Sequence, residues 1–286
     1  MKAVSKEVYD RIDNDVYNVV ADKWWSDETT LIMLQTSINP LRVGYSKRKL
    51  LQELKITPRG KTALEVGCGG GILTEEIARM GFTTTGIDPS EGSLETARGH
   101  AKQSGLEIGY DFGTGEALPY SNASFDVVFC CDVLEHVRDL PKVIEEIARV
   151  LKPGGAFVFD TFNRTFISKL VAIEIWQEWK RWAFMPPSLH VWDMFVTPAE
   201  LKETLQEKGL HLKEFQGSKP SVSLLTMLSY LRKRATGQWN FRQLGEKFRL
   251  VEDKDMNMLY LGAGGKVMTI RHLLSFPAAA FNVPPR

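Results

Sequence analysis

Leu64-Glu65-Val66-Gly67-Cys68-Gly69-Gly70-Gly71 is the stretch that decides the fold of this chain. Thr62 to Val66 reads as a short buried strand, a glycine loop interrupts it, and Ile72 to Met80 repeats apolar residues at helical spacing. Glycines at a strand-to-helix turn let the backbone pass close to a ligand that any Cβ would push away. A second strand, Thr83-Thr84-Thr85-Gly86-Ile87, ends at Asp88. That acid stands about 20 residues beyond the loop, where a carboxylate can accept both hydroxyls of a ribose. The pattern predicts a nucleoside-binding βαβ unit.

The dinucleotide fingerprint GxGxxG reserves its third glycine for close packing of helix against strand. Here Gly67, Gly69, Gly70 and Gly71 crowd together, and Glu75 and Glu76 follow where that glycine might sit. A carboxylate at Glu65, just before the loop, would repel phosphates and could accept bonds from an amino group. The sequence E-x-G-x-G-x-G with a downstream acid resembles the S-adenosylmethionine site of class I methyltransferases. The resemblance implies an α/β fold, a Rossmann-like doubly wound sheet, with S-adenosyl-L-methionine as methyl donor. A dehydrogenase on the same fold class is disfavoured by Glu65, and a cofactor-binding subunit without activity by the intact loop and Asp88.

Composition agrees. The chain has 286 residues, 43% of them apolar, enough for one good core or a core plus a cap. Its net charge is +1 with no block of like charges, so no nucleic-acid partner is expected. Three cysteines, two of them adjacent in an apolar strand, form neither a disulfide framework nor a zinc motif. The charged, polar start of the chain predicts no signal peptide, and no apolar run suffices to span a bilayer, so the expected compartment is the cytosol.

Strands and helices continue to alternate. Glu107 to Phe112 reads as a third strand, followed by the loop Gly113 to Tyr120 at its carboxyl end, the edge where open α/β sheets bind ligands. That loop should lie near an adenine. Phe125 to Cys131 is a fourth strand, apolar enough to be buried on both faces. Lys142 to Leu151 is a helix with Glu145, Glu146 and Arg149 on its wet face, and Pro153-Gly154-Gly155 turns into a fifth strand, Ala156 to Asp160. The expected organisation is a helical lid over residues 1–50, a cofactor-binding core over 51–160, a substrate-side cap over 161–196, and the rest of the sheet with C-terminal additions over 197–286.

From about Val20 to Pro198 the chain resembles the ubiquinone-biosynthesis O-methyltransferases. The segments that carry this are Trp24-Trp25-Ser26-Asp27, Ile38 to Tyr45, the glycine loop, Asp132-Val133-Leu134-Glu135-His136-Val137, Asn163-Arg164 and His190 to Leu201. The resemblance implies methylation of a phenolic or catechol-type small molecule. It also implies that Arg42 holds the methionine carboxylate of the cofactor. The candidate cofactor-binding residues are Arg42, Glu65, Gly67, Cys68, Gly69, Asp88, Pro89, Ser90, Gly115, Glu116, Ala117 and Cys131, the last as an uncharged wall against the adenosyl group. In some family members the ExxEH motif is linked to a divalent metal, which would make Asp132, Glu135 and His136 a ligand set, although no metal is expected here. The chain departs from the family at Asp132, which replaces the first acid of ExxEH, and at Val191, which replaces the aspartate of an HD pair. Residues 220–254 and the tail after Gly265 have no assignable counterpart. C-methylation of an electron-rich ring such as an indole therefore remains the alternative, since a retained fold does not fix a retained substrate.

A phenol is a poor nucleophile at neutral pH, so a base helps. The catalytic candidates are His136, His190 and Asp132, with His136 first because it directly follows the fourth strand. A helix cap or a structural hydrogen bond explains His136 without catalysis. His100, His211 and His272 sit in surface-like patterns and read as solvated or structural. Trp24 and Trp25 fit either helix packing or a lid that closes on the site. The segment from Phe166 to Pro187 interleaves aromatic and aliphatic residues with Lys169, Lys180 and Arg181. Such a face suits either the wall of a substrate pocket or peripheral contact with a bilayer.

Overall fold

The computed structural model describes residues 3–179 and 183–266; Lys180, Arg181, Trp182, His272 and the tail beyond Lys266 lie outside them. The described residues include eight strands: β1 (Thr62–Val66), β2 (Thr83–Asp88), β3 (Ile108–Phe112), β4 (Phe125–Cys131), β5 (Leu151–Phe162), β6 (Leu210–Pro220), β7 (Leu250–Asp253) and β8 (Leu259–Lys266). They form one sheet in the order β3-β2-β1-β4-β5-β8-β6-β7. The first five run parallel, and β8, β6 and β7 join antiparallel. The chain leaves β1 toward β2 on one side, while β4 takes the other, and this reversal opens a crevice at the carboxyl ends of the strands. The expected doubly wound sheet is the fold observed.

Strand β4 shows why the sheet sits where it does. Every residue from Phe125 to Cys131 is buried, and the alternation of side chains assigns them to two cores. Val128 and Cys130 pack with Val143, Ile144 and Ile147 of the helix Leu140–Val150 and with Leu201 and Leu205 of the helix Pro198–Glu207. Val127 and Phe129 pack on the other face with Leu73 and Ile77 of the helix Ile72–Arg79 and with Leu50. The helix Leu140–Val150 begins where Asp139 accepts the Lys142 N–H, and Pro198–Glu207 begins in a capping box of Thr197 and Glu200.

Several expectations need correction. The turn at Pro153-Gly154-Gly155 does not precede the fifth strand but bulges within it: Phe125 pairs with Leu151 and Val127 already with Ala156. Gly154, at φ +78°, absorbs the extra residues. Glu146 is not on a wet face. It is buried, accepts the Leu118 N–H at 3.1 Å and pairs with Arg149 at 2.7 Å, so the two pin the loop after β3. The expected boundary at residue 50 falls inside a helical run in which the helix Asn39–Lys47 is flanked by π-helical turns Leu34–Ile38 and Arg48–Glu53. The boundary at residue 160 falls inside β5, where Thr161 and Phe162 still pair with Tyr260 and Leu259.

Residues 220–254 supply the helices Leu224–Ala235 and Phe241–Lys247 and the edge strand β7. Phe241 and Leu244 pack on Ile32 and Met33 of the N-terminal segment, with Phe184 alongside. Three stretches of chain thus close over the carboxyl edge of the sheet. Among the described residues no helix is long and apolar enough to cross a membrane.

Ile144 is fully buried between sheet and helix. Ile144→Ala should cost about 2–5 kcal/mol of stability, the range for deleting a large buried aliphatic side chain. Urea unfolding measures it, and a loss below about 1 kcal/mol would mean that the helix is not seated as described.

Candidate functional site

The glycine loop owes its composition to backbone and to neighbours. Gly67 has φ +72°, and a Cβ there would lie 2.3 Å from Val133 Cγ2. Gly69, at φ +49°, faces the indole of Trp24, whose ring would lie 2.5 Å from an added Cβ. Trp24 is held by its Nε1–H donating to Ser93 Oγ at 2.9 Å. The Trp25 Nε1–H donates to Gly70 O at 2.9 Å, and its ring stacks on His100 at 3.4 Å. His100 in turn meets the buried Glu75 at 2.5 Å, which makes it a structural residue. The two tryptophans therefore clamp the loop.

Above the loop lies a cavity of about 660 Å³, within the range of small-molecule sites. Its wall includes Arg42, Glu65, Gly67, Cys68, Gly69, Asp88, Pro89, Ser90, Gly115, Glu116 and Cys131, together with Asp132, His136 and His190. Ala117 is not brought there: it is exposed, and its N–H closes a turn on Thr114 O. Trp24 lines the cavity, whereas Trp25 and Trp192 do not. Trp192 is held instead by its Nε1–H donating to Thr165 O.

Asp88 ends β2 and accepts N–H bonds from Gly69 at 2.8 Å and Ser90 at 2.9 Å. Burial raises its carboxyl above the ordinary value, and those two donors oppose the shift. Glu65 accepts the Thr74 hydroxyl, and burial pushes its carboxyl up to about 8. Burial likewise raises the Cys131 thiol, so the residue is an uncharged wall.

At the far end of β4 the charges concentrate. Arg42 is buried and donates from Nε and Nη2 to the two oxygens of Asp160, at 2.6 and 2.8 Å. It also pairs with Asp132 through Nη2. Asp132 has φ +53°. Burial works to raise its carboxyl, but Arg42 outweighs burial and holds it below the ordinary value. Asp132 is therefore turned toward Arg42 and not toward Glu135 and His136. Donor atoms of Glu135, His136 and His190 lie within 4.8 Å of one another. His190 takes the place that the sequence assigned to Asp132 in a metal-ligand set.

Each of these three side chains is fixed by a neighbour. His136 Nδ1 faces Asn14 Oδ1 at 3.2 Å, while Asn14 Nδ2 donates to the His136 carbonyl. His190 is clamped by Gln177, which accepts its backbone N–H at 2.7 Å and faces Nδ1 at 3.2 Å. Glu135 accepts the Thr161 hydroxyl at 2.7 Å. His136 Nε2 and Glu135 Oε1 are buried without partners. Burial lowers His136 to about 4 and His190 to about 3, so both imidazoles are neutral at physiological pH. Burial, reinforced by Asp132, lifts Glu135 to about 8.

The residues that sequence reasoning missed share one trait: they act through tertiary contact. Asp160 lies within β5, near its carboxyl end, without any motif signal. Asn14 and Tyr17 precede the double tryptophan, and Tyr17 stacks on Trp24 and meets His136 edge-on at 6.0 Å. Gln177 lay unremarked within the aromatic segment. Ser218, Pro220, Met227, Phe248 and Leu250, from stretches with no assigned role, complete the cavity wall.

Residues 64–159 match a family model described as a methyltransferase domain. A ubiquinone biosynthesis O-methyltransferase of Azorhizobium caulinodans is 33% identical over 207 residues, which cover 70% of this chain and 81% of that one. Another, from Coxiella burnetii, is 34% identical over 214 residues, 75% and 88% of the two chains. One from Rhizobium johnstonii is 30% identical over 263 residues, 90% and 96%. Among solved structures, a SAM-dependent methyltransferase from Thermotoga maritima aligns with a TM-score of 0.52 at 19% identity, over 92% of this chain and all of its own. One from Aquifex aeolicus aligns with a TM-score of 0.50 at 15% identity, over 78% and 93%. At those identities the likeness concerns the fold.

The buried ionisable groups set a pH dependence of stability. Glu65 and Glu135, at about 8 when folded against 4.5 as free side chains, keep a proton that the unfolded chain loses. Their contribution is full at low pH and disappears as pH rises through about 8. His136 and His190 act in the opposite sense, resisting a proton that the unfolded chain takes up below 6.5. The two effects oppose each other between about pH 4.5 and 6.5, and above that window only the acids act. The urea midpoint should therefore fall between pH 6.5 and 8.5, and Glu135→Gln should make that slope shallower. A flat wild-type profile there would mean that both acids ionise without cost.

Proposed function

This chain belongs to the class I S-adenosylmethionine-dependent methyltransferases, closely related to the ubiquinone-biosynthesis O-methyltransferases, and we propose that it O-methylates a phenolic or catechol-type small molecule. The observation that carries the acceptor reading is His136 on the cavity wall, its Nδ1 set against Asn14 and its Nε2 left without a hydrogen-bond partner. The bound cofactor supplies an electrophilic methyl on a sulfonium. The chain's own residues then have three tasks: to hold the donor, to aim the acceptor oxygen in line with the methyl, and to take the phenolic proton while water is excluded.

The cradle fits the donor. Gly67, Cys68 and Gly69 line the cavity beside Asp88, whose carboxylate suits ribose hydroxyls, and the Arg42 contacts with Asp160 and Asp132 run through Nε and Nη2. Gly115 and Glu116, on the loop pinned by Glu146 and Arg149, suit the adenine side. Residues 3–53, 163–179, 183–196 and 221–249 contribute the cap. His136 is the base in this reading, its Nδ1–H directed to Asn14, and His190 stands 5.0 Å away, ring to ring, as the second candidate. A divalent ion, were one required, would find its donors at Glu135, His136 and His190.

The segment 166–179 has two faces. Val171 and Trp176 line the cavity, while Phe166, Ile167, Leu170 and Trp179 are exposed. Lys169 lies over the Trp192 ring, 5.2 Å from its centre. This supports peripheral contact with a bilayer by a cytosolic protein whose acceptor carries apolar bulk.

The direct test is a methyl-transfer screen of catechols, polyprenylphenols and indoles, with mass spectrometry to locate the new methyl. A methyl on oxygen is expected, and methylation only at carbon of the indoles would move the assignment to C-methylation. With a phenolic acceptor, His136→Ala should lower kcat by about 10²–10⁴-fold, the usual general-base contribution, with little change in cofactor affinity. Near wild-type turnover would remove His136 from the mechanism. Turnover is expected to survive chelator treatment; activity abolished by chelator and restored by a divalent ion would route the step through a metal.

A further inference from the structure

We propose that Asp132 and the cofactor's amino-acid carboxylate compete for one edge of Arg42, so that filling the cofactor site displaces Asp132 from the guanidinium. The inference rests on the assignment of Arg42 as holder of that carboxylate, and it follows from counting donors. A guanidinium has five N–H groups in a fixed fork. Asp160 takes the Nε–H and one Nη2–H, at 2.6 and 2.8 Å. The remaining edge consists of the second Nη2–H and the Nη1 pair, and Asp132 sits on Nη2. A two-pronged grip on a further carboxylate needs both terminal nitrogens of that edge. It cannot form while Asp132 stays.

Of the two acids, only Asp132 is free to leave. Asp160 has no exposure, belongs to an inner strand and also accepts the Asp132 N–H at 3.2 Å. The Asp132 side chain is 24% exposed and lines the cavity. Its backbone is held in the left-handed region at φ +53°, a conformation that a non-glycine residue keeps only against a cost. Exchange of one carboxylate for another also keeps the charge balance around Arg42 unchanged, whereas adding a third acid to one cation would not. A displaced Asp132 remains beside the acceptor end, so occupancy of the donor site alters the charge that faces His136 and His190.

The test compares two ligands by calorimetry on the whole protein: S-adenosylhomocysteine, which carries the amino-acid carboxylate, and 5′-methylthioadenosine, which lacks it. Asp132→Asn suits the left-handed backbone and removes the competing charge. It should bind S-adenosylhomocysteine at least about tenfold tighter, the scale of exchanging one close charge pair, with methylthioadenosine affinity unchanged. Unchanged or weaker binding of S-adenosylhomocysteine, or an equal gain for both ligands, overturns the proposal. Arg42→Met reports separately on the underlying assignment: loss of the preference for S-adenosylhomocysteine supports it, and a retained preference removes it whatever Asp132 does. Should Asp132→Asn fail to fold, a crystal structure of the wild-type protein with S-adenosylhomocysteine decides. Asp132 should then be detached from Arg42 Nη2, and a retained contact overturns the proposal.

Discussion

The pairing of Arg42 with Asp160 is the interaction on which the rest of the site depends. It joins residues 118 positions apart, one on the helix Asn39–Lys47 and one near the carboxyl end of an inner strand, and both are buried. Breaking such a pair from one side leaves a charge in a medium that cannot solvate it, typically at about 3–5 kcal/mol. That helix is thereby fixed in rotation and height above the sheet. That placement brings Arg42 beside the end of β4, where Asp132 and His136 follow.

The same pair governs the electrostatics. Asp132 and Asp160 hold one guanidinium at the carboxyl edge of the sheet, with the buried acids Glu65, Asp88 and Glu135 at the same edge, and unrelieved these acids would repel one another. Burial resolves the conflict by pushing Glu65 and Glu135 toward the protonated form, while Arg42 keeps Asp132 ionised. The result is a site of modest negative character, fitted to a sulfonium with a zwitterionic tail and unsuited to a pyrophosphate. The histidines experience the same burial in the opposite sense and stay neutral.

Local signals made the sheet legible. β1 and β4 lie where their apolar runs ended, and Asp88 closes β2 as the spacing from the glycine loop required. What escaped was whatever depends on distant partners. Glu146 fitted a helix pattern with a polar face, yet its carboxylate is drawn inward by an unpaired N–H at Leu118. The run Pro153-Gly154-Gly155 reads as a turn, and only the register against β4 reveals a bulge. The helices within residues 220–254 carry their own start signals, Ser223 accepting from Thr226 and Asn240 boxed with Gln243. Local signals of that kind do not say that these helices pack on residues 32 and 33. Ala117, grouped with its neighbours by position alone, turns out to face solvent because the chain bends at Thr114.

The most direct measurement of the account is a double-mutant cycle between Arg42 and Asp160, with Arg42→Met, Asp160→Asn and the double variant, read both as unfolding free energy and as affinity for S-adenosylhomocysteine. If the buried pair organises lid and site together, the two substitutions will be strongly non-additive in both readouts. The coupling should exceed about 1.5 kcal/mol, the lower bound for close buried charge pairs. Additive effects on stability, or an affinity loss in Asp160→Asn that is indifferent to the presence of Arg42, would contradict it.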